Sequence, residues 1–469
     1  MIPKTNQGRE ERFRLFWNLI SGLSGALSVV FFSPLIIDVL GKTDYAILSL
    51  FFVVTIITNV FDFGNSLTIN MIMSSDISLE KKRIYFSYNE RQMFTNLLAA
   101  IIILLIGECY FFNLPFKLPI KILFLTAAVL FPLYNYYINI LLGNGMHFIA
   151  AVYIVVYNVM RMLLPYLMVL YYSPEISLFI MGLFAVSLIL IIVLRYHSVI
   201  VVKKHLFSVN GLDDIGEVLG NKKNSFSYLA FLVLIISTID RLYVYMFYEA
   251  TDYSDYSLAF VAASVVNLVI VPFHKSYFPK MASVKGEARL KIFEKSSVVS
   301  SELLLLIAIF AIVNSEWLLN FWLGSVLTYE IRVNFLSLLI GMTLSGLTWL
   351  SGAFLQLEEL GKVHNRFLTA ALSLMFVFLV LNEIFQLHFP IGIIWILNGL
   401  LMIWELYYVT CKYETFNLFK WITKFGRIPI IGLIWMLCVS YFLGEANVWS
   451  VVVQLISLSY LAFISIRKI

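Results

Sequence analysis

Apolar runs of about 20 residues recur along the whole chain, and each is long enough to cross about 30 Å of hydrocarbon as a helix. They fall near 15–40, 45–73, 92–113, 117–142, 148–172, 176–196, 226–248, 253–279, 296–320, 330–355, 364–384, 388–410, 428–444 and 448–466. The pattern predicts about fourteen transmembrane helices. A β-barrel would instead show short segments of alternating hydrophobicity. The predicted fold class is therefore all-α, a polytopic integral membrane protein.

Composition agrees: the 469 residues are 61% hydrophobic and only 13% charged. The charges add orientation. Loops predicted on one side hold four positive residues, Lys42, Lys117, Lys121 and Arg332, while the other side and the termini hold twenty-six. The positive-inside rule then puts both termini in the cytoplasm. The net charge of +5 is a consequence of topology and predicts no nucleic-acid partner. The basic N-terminus precedes an apolar stretch of about 26 residues without a small-x-small cleavage site, so it reads as a retained first helix. Cys109, Cys411 and Cys438 form no CxxC and suggest no disulfide.

The longest loop, near 201–225, divides the chain into an N-terminal six-helix bundle (1–200), a second one (226–411) and an additional helix pair (412–469). Thr43-Asp44-Tyr45 and Ser254-Asp255-Tyr256 match at an offset of 211, each at the turn before its half's second helix. Six spans per unit give both copies the same orientation, a parallel pseudo-twofold repeat of the kind some secondary transporters use. The repeat aligns Asp62-Phe63-Gly64 with the region of Pro272, and both predict a weakened helix.

Three bases remain at membrane depth: Arg161, Arg241 and Lys275. A charge at the bilayer centre costs roughly 2.5–3.5 kcal/mol on insertion scales, so it normally faces a partner or a watery cavity. Asp240 sits beside Arg241, and the two either neutralise each other or serve a ligand. Arg161 has no acid within a turn or two of its own helix. It needs Asp62, Asp240 or an anionic ligand. Polar residues fall in stripes at helical spacing: Thr55, Asn59, Asp62, Ser66 and Asn70; Tyr153, Tyr157 and Arg161, with Asn158 close by; Ser257, Ser264, Asn267 and His274; and Asn334, Ser337, Gly341, Ser345, Thr348, Gly352 and Gln356. Each stripe has two readings, a cavity lining or close helix packing.

Chemical motifs are missing. Gly41-Lys42-Thr43 lacks the upstream glycine of a nucleotide-binding loop, since Ile36 stands there. No metal-ligand cluster, HExxH or GxSxG occurs. The short external loops argue against an enzyme, and no cofactor is implied.

Several local patterns, taken in order, resemble the polysaccharide flippases of the O-antigen translocase type, within the multidrug/oligosaccharidyl-lipid/polysaccharide exporter superfamily. They are Pro34, Leu40-Gly41, Tyr45 and Asp62-Phe63-Gly64; then Ile239-Asp240-Arg241, Tyr256, Pro272 and Phe278-Pro279; then Phe321-Trp322-Leu323-Gly324. The resemblance covers most of the first twelve spans, and the final helix pair lies outside the common pattern. It implies two six-helix bundles around a central cavity with alternating access. The implied substrate is an undecaprenyl-diphosphate-linked oligosaccharide moved from the cytoplasmic to the periplasmic leaflet of a bacterial inner membrane. Polysaccharide polymerase and chain-length proteins are the implied pathway partners.

The residues fit that substrate independently. Arginine presents a planar fork suited to phosphate oxygens. Arg161, Arg241 and Lys275, with Arg14 at the cytoplasmic mouth, are the candidate diphosphate ligands. Asp62 and Asp240 are candidates for ion coupling or for restraining the arginines. Asn59, Asn158, Asn267 and Asn334 are candidate polar lining. A multidrug or organic-cation antiporter of the same superfamily is the main alternative, and an integral-membrane polysaccharide polymerase is the enzymatic one.

Overall fold

The computed structural model describes residues 4–74, 78–108, 114–202, 222–282, 284–358, 360–387, 389–413, 418–443 and 448–466. Among them the chain is helical and without strands, as the apolar runs predict. Ten of the described helices are long and apolar enough to cross a membrane, and a shorter apolar helix covers Gly426–Tyr441.

Packing divides the chain into two compact units, Met1–Ser254 and Asp255–Ile469. The first unit opens with α1 (Lys4–Thr58), two helices meeting at Gly41, whose φ of 82° only glycine adopts without strain. The apolar pattern reads this stretch as two spans, 15–40 and 45–73, which the bend at Gly41 separates. A 3-10 turn follows at Asn59–Asp62, then α2 (Asn65–Ser74). Next come α3 (Leu79–Gly107), α4 (Leu118–Gly143), α5 (His147–Tyr171), α6 (Ile176–Val202) and α7 (Lys222–Phe247). α4 is the hub of this unit and touches α1, α2, α3, α5 and α6. A buried carboxylate ties three of these helices: Glu90 of α3 meets the exposed Arg195 of α6 at 3.0 Å, and Tyr137 of α4 donates to the same carboxylate oxygen at 2.8 Å.

The second unit contains most of α8 (Ala250–Ala263), a 3-10 turn at Ser264–Val266, and α9 (Asn267–Ala282). The expected weakening in this span is therefore present, but it falls ahead of Pro272. Then follow α10 (Glu287–Val313), α11 (Ser315–Leu323), α12 (Tyr329–Leu347), α13 (Trp349–Leu357), α14 (Gly361–Ile384) and α15 (Ile393–Lys412). Arg289, counted at sequence level only toward topology, is buried. It donates to the carbonyls of Met281, Val284 and Leu357, which lie at or just beyond the ends of α9 and α13, and pairs with Glu358 at 2.9 Å. A fully buried carboxylate, Glu405, accepts from Ser351 at 3.1 Å and meets His364 Nδ1 at 2.8 Å.

The last pair, α16 (Leu418–Leu443) and α17 (Val448–Ile466), packs on α10. Its lock is Gln454, fully buried. The amide N–H groups reach Met436 O, Ser440 Oγ and Ser450 Oγ, and its oxygen accepts from Asn314 Nδ2 at 2.6 Å. Each buried polar group left unmatched costs about 1–3 kcal/mol. Gln454→Leu should lower the thermal unfolding midpoint of the detergent-solubilised protein. Gln454→Glu should lower it further, because it buries a charge and sets a carboxylate oxygen against the Met436 carbonyl. A neutral result for both would mean that the pair is held by apolar packing alone.

Candidate functional site

Two surfaces of the first unit differ in their chemistry. Along α3 and α6, Leu98, Ile102, Ile106, Ile189 and Ile192 are exposed, an apolar surface suited to acyl chains. The open line of α4 is different. Phe131, Asn135, Asn139 and Leu142 follow at steps of 4, 4 and 3 on one face, while most of the helix around them is buried. Its asparagines join those of the preceding helices in one hydrogen-bonded line. Asn135 Nδ2 donates to Asn59 Oδ1 at 3.2 Å, Asn139 Nδ2 to the Asn135 carbonyl at 2.9 Å, and Asn70 Nδ2 to Asn139 Oδ1 at 2.9 Å.

The break in the second span falls between Asn59 and Asn70, the two asparagines that this span contributes to the line. Phe63 has φ 46° and Gly64 φ 77°, so the chain turns through left-handed backbone there. A non-glycine residue in that region costs about 1–3 kcal/mol, and such strain clusters at functional sites. Asp62 caps the helix that follows: its carboxylate accepts from Ser66 N at 3.0 Å and Ser66 Oγ at 3.1 Å. That is a favourable place for a negative charge.

Arg161 lies on the Phe131 side of the line, across Tyr157. Its guanidinium sits 5.2 Å from the Phe52 ring centre and 5.3 Å from that of Tyr157. Tyr157 stacks on Tyr134 at 4.1 Å, and Phe131 stacks against both. Phe131 thus links the arginine cage to the amide line. Cation–π contacts give about 0.5–2 kcal/mol each, which offsets much of the cost of a charge at this depth. They use none of its N–H donors. Arg161 Nε is buried without a hydrogen-bond partner, and among the described residues no carboxylate pairs with this side chain.

Of the other sequence candidates, Arg241 and Asp240 are buried in α7, which packs on α1 and on the Asn59–Asp62 turn. Arg241 Nη2 donates to the Ser237 carbonyl one turn back, at 2.5 Å. Asn158 donates to Ser24 Oγ at 3.1 Å where α5 crosses α1 beside Gly25, so it is a packing contact. Asn334 is similar: it donates to Glu330 O and accepts from the Gly392 amide, pinning the start of α15 to α12. Asn267 is exposed at the start of α9. The side chains of Arg14 and Lys275 lie outside the described residues. Asn135, Asn139 and the rings Phe52, Phe131 and Tyr134 escaped the sequence reading. The two asparagines carried a usable signal, because they stand four apart in an apolar span.

No protein-family model matches the chain, and no curated relative matches it by sequence. Solved structures do match. An inward-facing multidrug resistance MATE family transporter of the MOP superfamily is similar, with a TM-score of 0.66 and 13% identity over 84% of this chain and 98% of that one. The lipid II flippase MurJ, in an inward closed conformation, is similar with a TM-score of 0.65 and 15% identity over 97% of both chains. A MOP superfamily transporter from Pyrococcus furiosus, described as having a binding pocket of reverse polarity, gives 0.59 and 13% identity over 86% of this chain and 95% of that one. The chain has the fold of MOP superfamily transporters, along its whole length in the case of MurJ.

Proposed function

We propose that this chain is a flippase for undecaprenyl-diphosphate-linked oligosaccharide repeat units of O-antigen or a similar surface polysaccharide. It carries them from the cytoplasmic to the periplasmic leaflet by alternating access coupled to an ion gradient. The observation that carries the reading is Arg161, a fixed cation with aromatic faces around it and no described carboxylate against it. A diphosphate supplies the missing counter-charge. A drug cation is disfavoured at that spot, since two like charges 5 Å apart repel by roughly 3 kcal/mol at an effective dielectric of 20. The amide line suits a neutral, hydroxylated head group, and the full-length likeness to a flippase of lipid II agrees with a lipid-linked substrate.

The second reading is a multidrug antiporter. It is favoured by the fully buried Asp240 and by the likeness to MATE transporters. One experiment separates the two. Purified protein is reconstituted in vesicles with lipid-linked saccharide isolated from cells lacking this chain, and in parallel with ethidium. Transbilayer movement of the saccharide without ethidium flux is expected. Ethidium flux driven by an ion gradient, with no saccharide movement, would establish the antiporter instead.

A further inference from the structure

We propose that the amide line Asn59, Asn135, Asn139 and Asn70, closed at one end by Phe131, is a glycan subsite that binds the sugar next to the diphosphate. The proposal rests on the flippase reading and adds to it the part of the protein that recognises the saccharide.

Three observations converge. The first is position. Asn135 and Asn139 are half-buried on one face of the stretch 124–143 of α4, most of whose other residues are buried, about two turns and one turn from the end of the helix. Amides do not face hydrocarbon without cost, whereas exposed isoleucines and leucines of α3 and α6 offer acyl chains an apolar surface elsewhere on the unit. A polar line here calls for water or a polar ligand.

The second is hydrogen-bonding capacity. Each amide offers two donors and an oxygen with two lone pairs. The bonds along the line use one N–H of each of Asn135, Asn139 and Asn70, and leave the Oδ1 atoms of Asn135 and Asn70 uncommitted among the described residues. A sugar hydroxyl both donates and accepts, so a row of amides with spare N–H and spare oxygen matches it. The four amides carry no charge, which favours a neutral hydroxylated ligand over an ion.

The third is the aromatic end. Phe131 is half-buried, held by stacking on Tyr134 and Tyr157, and stands between the amides and Arg161. The apolar face of a pyranose packs on such a ring, while the phosphate beyond it meets the guanidinium. From Phe131 to Asn139 the helix rises about 12 Å, which gives length for about two sugar rings.

The test is a binding measurement on the full chain in nanodiscs with two probes. One is undecaprenyl diphosphate. The other is the same lipid carrying the saccharide isolated from cells lacking this chain. Wild-type protein is expected to bind the saccharide-bearing lipid at least about tenfold more tightly. Asn135→Ala/Asn139→Ala should reduce it to the affinity of the bare lipid and leave the bare lipid unchanged. Phe131→Leu, which keeps apolar packing, should lose several-fold on the saccharide-bearing lipid only, and decides the matter should the double variant fail to fold. Arg161→Ala should weaken both probes. The subsite is overturned by a folded double variant that binds like wild type or loses both probes equally, or by a wild type that binds the two equally. A wild type that binds neither overturns the flippase reading itself.

Discussion

Arg161→Met is expected to cut glycan flipping by about 10- to 100-fold while leaving the protein as stable as wild type, or slightly more so. Charge-assisted hydrogen bonds contribute about 1.5–3 kcal/mol, and each 1.4 kcal/mol is tenfold in affinity. The loss of function follows from removing the guanidinium that the diphosphate would engage. Stability moves the other way, because the side chain makes no hydrogen bond that a methionine would forfeit. Removing a charge at this depth recovers part of about 2.5–3.5 kcal/mol, against cation–π losses of about 0.5–2 kcal/mol for each ring. Methionine fills the Phe52–Tyr157 cage with a flexible apolar chain and keeps sulfur–aromatic contact. Arg161→Lys should fall between, since an ammonium supplies charge without the planar fork. Vesicle flipping rates and thermal midpoints measured on the same preparations check both halves. Wild-type flipping by the methionine variant defeats the cationic-site reading; a large fall in its midpoint would recast Arg161 as structural.

Much of the fold was legible because membrane helices are written in apolar length, and the breaks because glycine, proline and short polar residues mark them. Gly41 and Phe63-Gly64 turn where the sequence puts a turn. The start of α10 was not legible as part of a span: Glu287, Lys291 and Lys295 are charged, yet the helix runs through them, since a helix outside hydrocarbon needs no apolar residues. The site divides along the same line. Arg161 stood out as a charge without a local acid, but its cage comes from α1, α4 and α5, and no local pattern announces a contact made by folding. The polar stripes show the limit of periodicity most plainly. Spacing tells which residues share a face and says nothing of what that face meets. Asn59 and Asn70 belong to an open amide line, whereas the equally regular Asn334–Gly352 stripe is packed against other helices. The difference was partly visible in the glycines of the second stripe and in Gly392 and Gly399 on the helix it meets.

Gly341→Ala should be among the most destabilising single-methyl additions in the chain, costing about 3 kcal/mol or more, at the upper end of overpacking effects. A Cβ at Gly341 would lie 2.3 Å from the Trp395 carbonyl carbon and 2.5 Å from Ile396 N, and backbone cannot rotate aside as a side chain can. α15 answers with its own glycines: a Cβ at Gly399 would lie 2.5 Å from Leu344 Cβ and 2.9 Å from Gly341 O. The two helices therefore meet backbone to backbone, the close approach that small residues permit in membranes. Forcing them apart also stretches the bonds from Asn398 to Ser345 Oγ (2.9 Å) and from the Gly392 amide to Asn334 Oδ1 (3.3 Å). It shifts the helix that carries Glu405 relative to His364 and Ser351 as well. The matched control is Gly22→Ala in α1, where nothing lies within 4 Å of the added carbon. There the helix propensity of alanine should stabilise the protein by roughly 0.5–1 kcal/mol. Opposite signs in thermal unfolding of the two variants are the expected result. Equal, small shifts would mean that α12 and α15 are not in the contact described, and the packing reading of the Asn334–Gly352 stripe would fall with it.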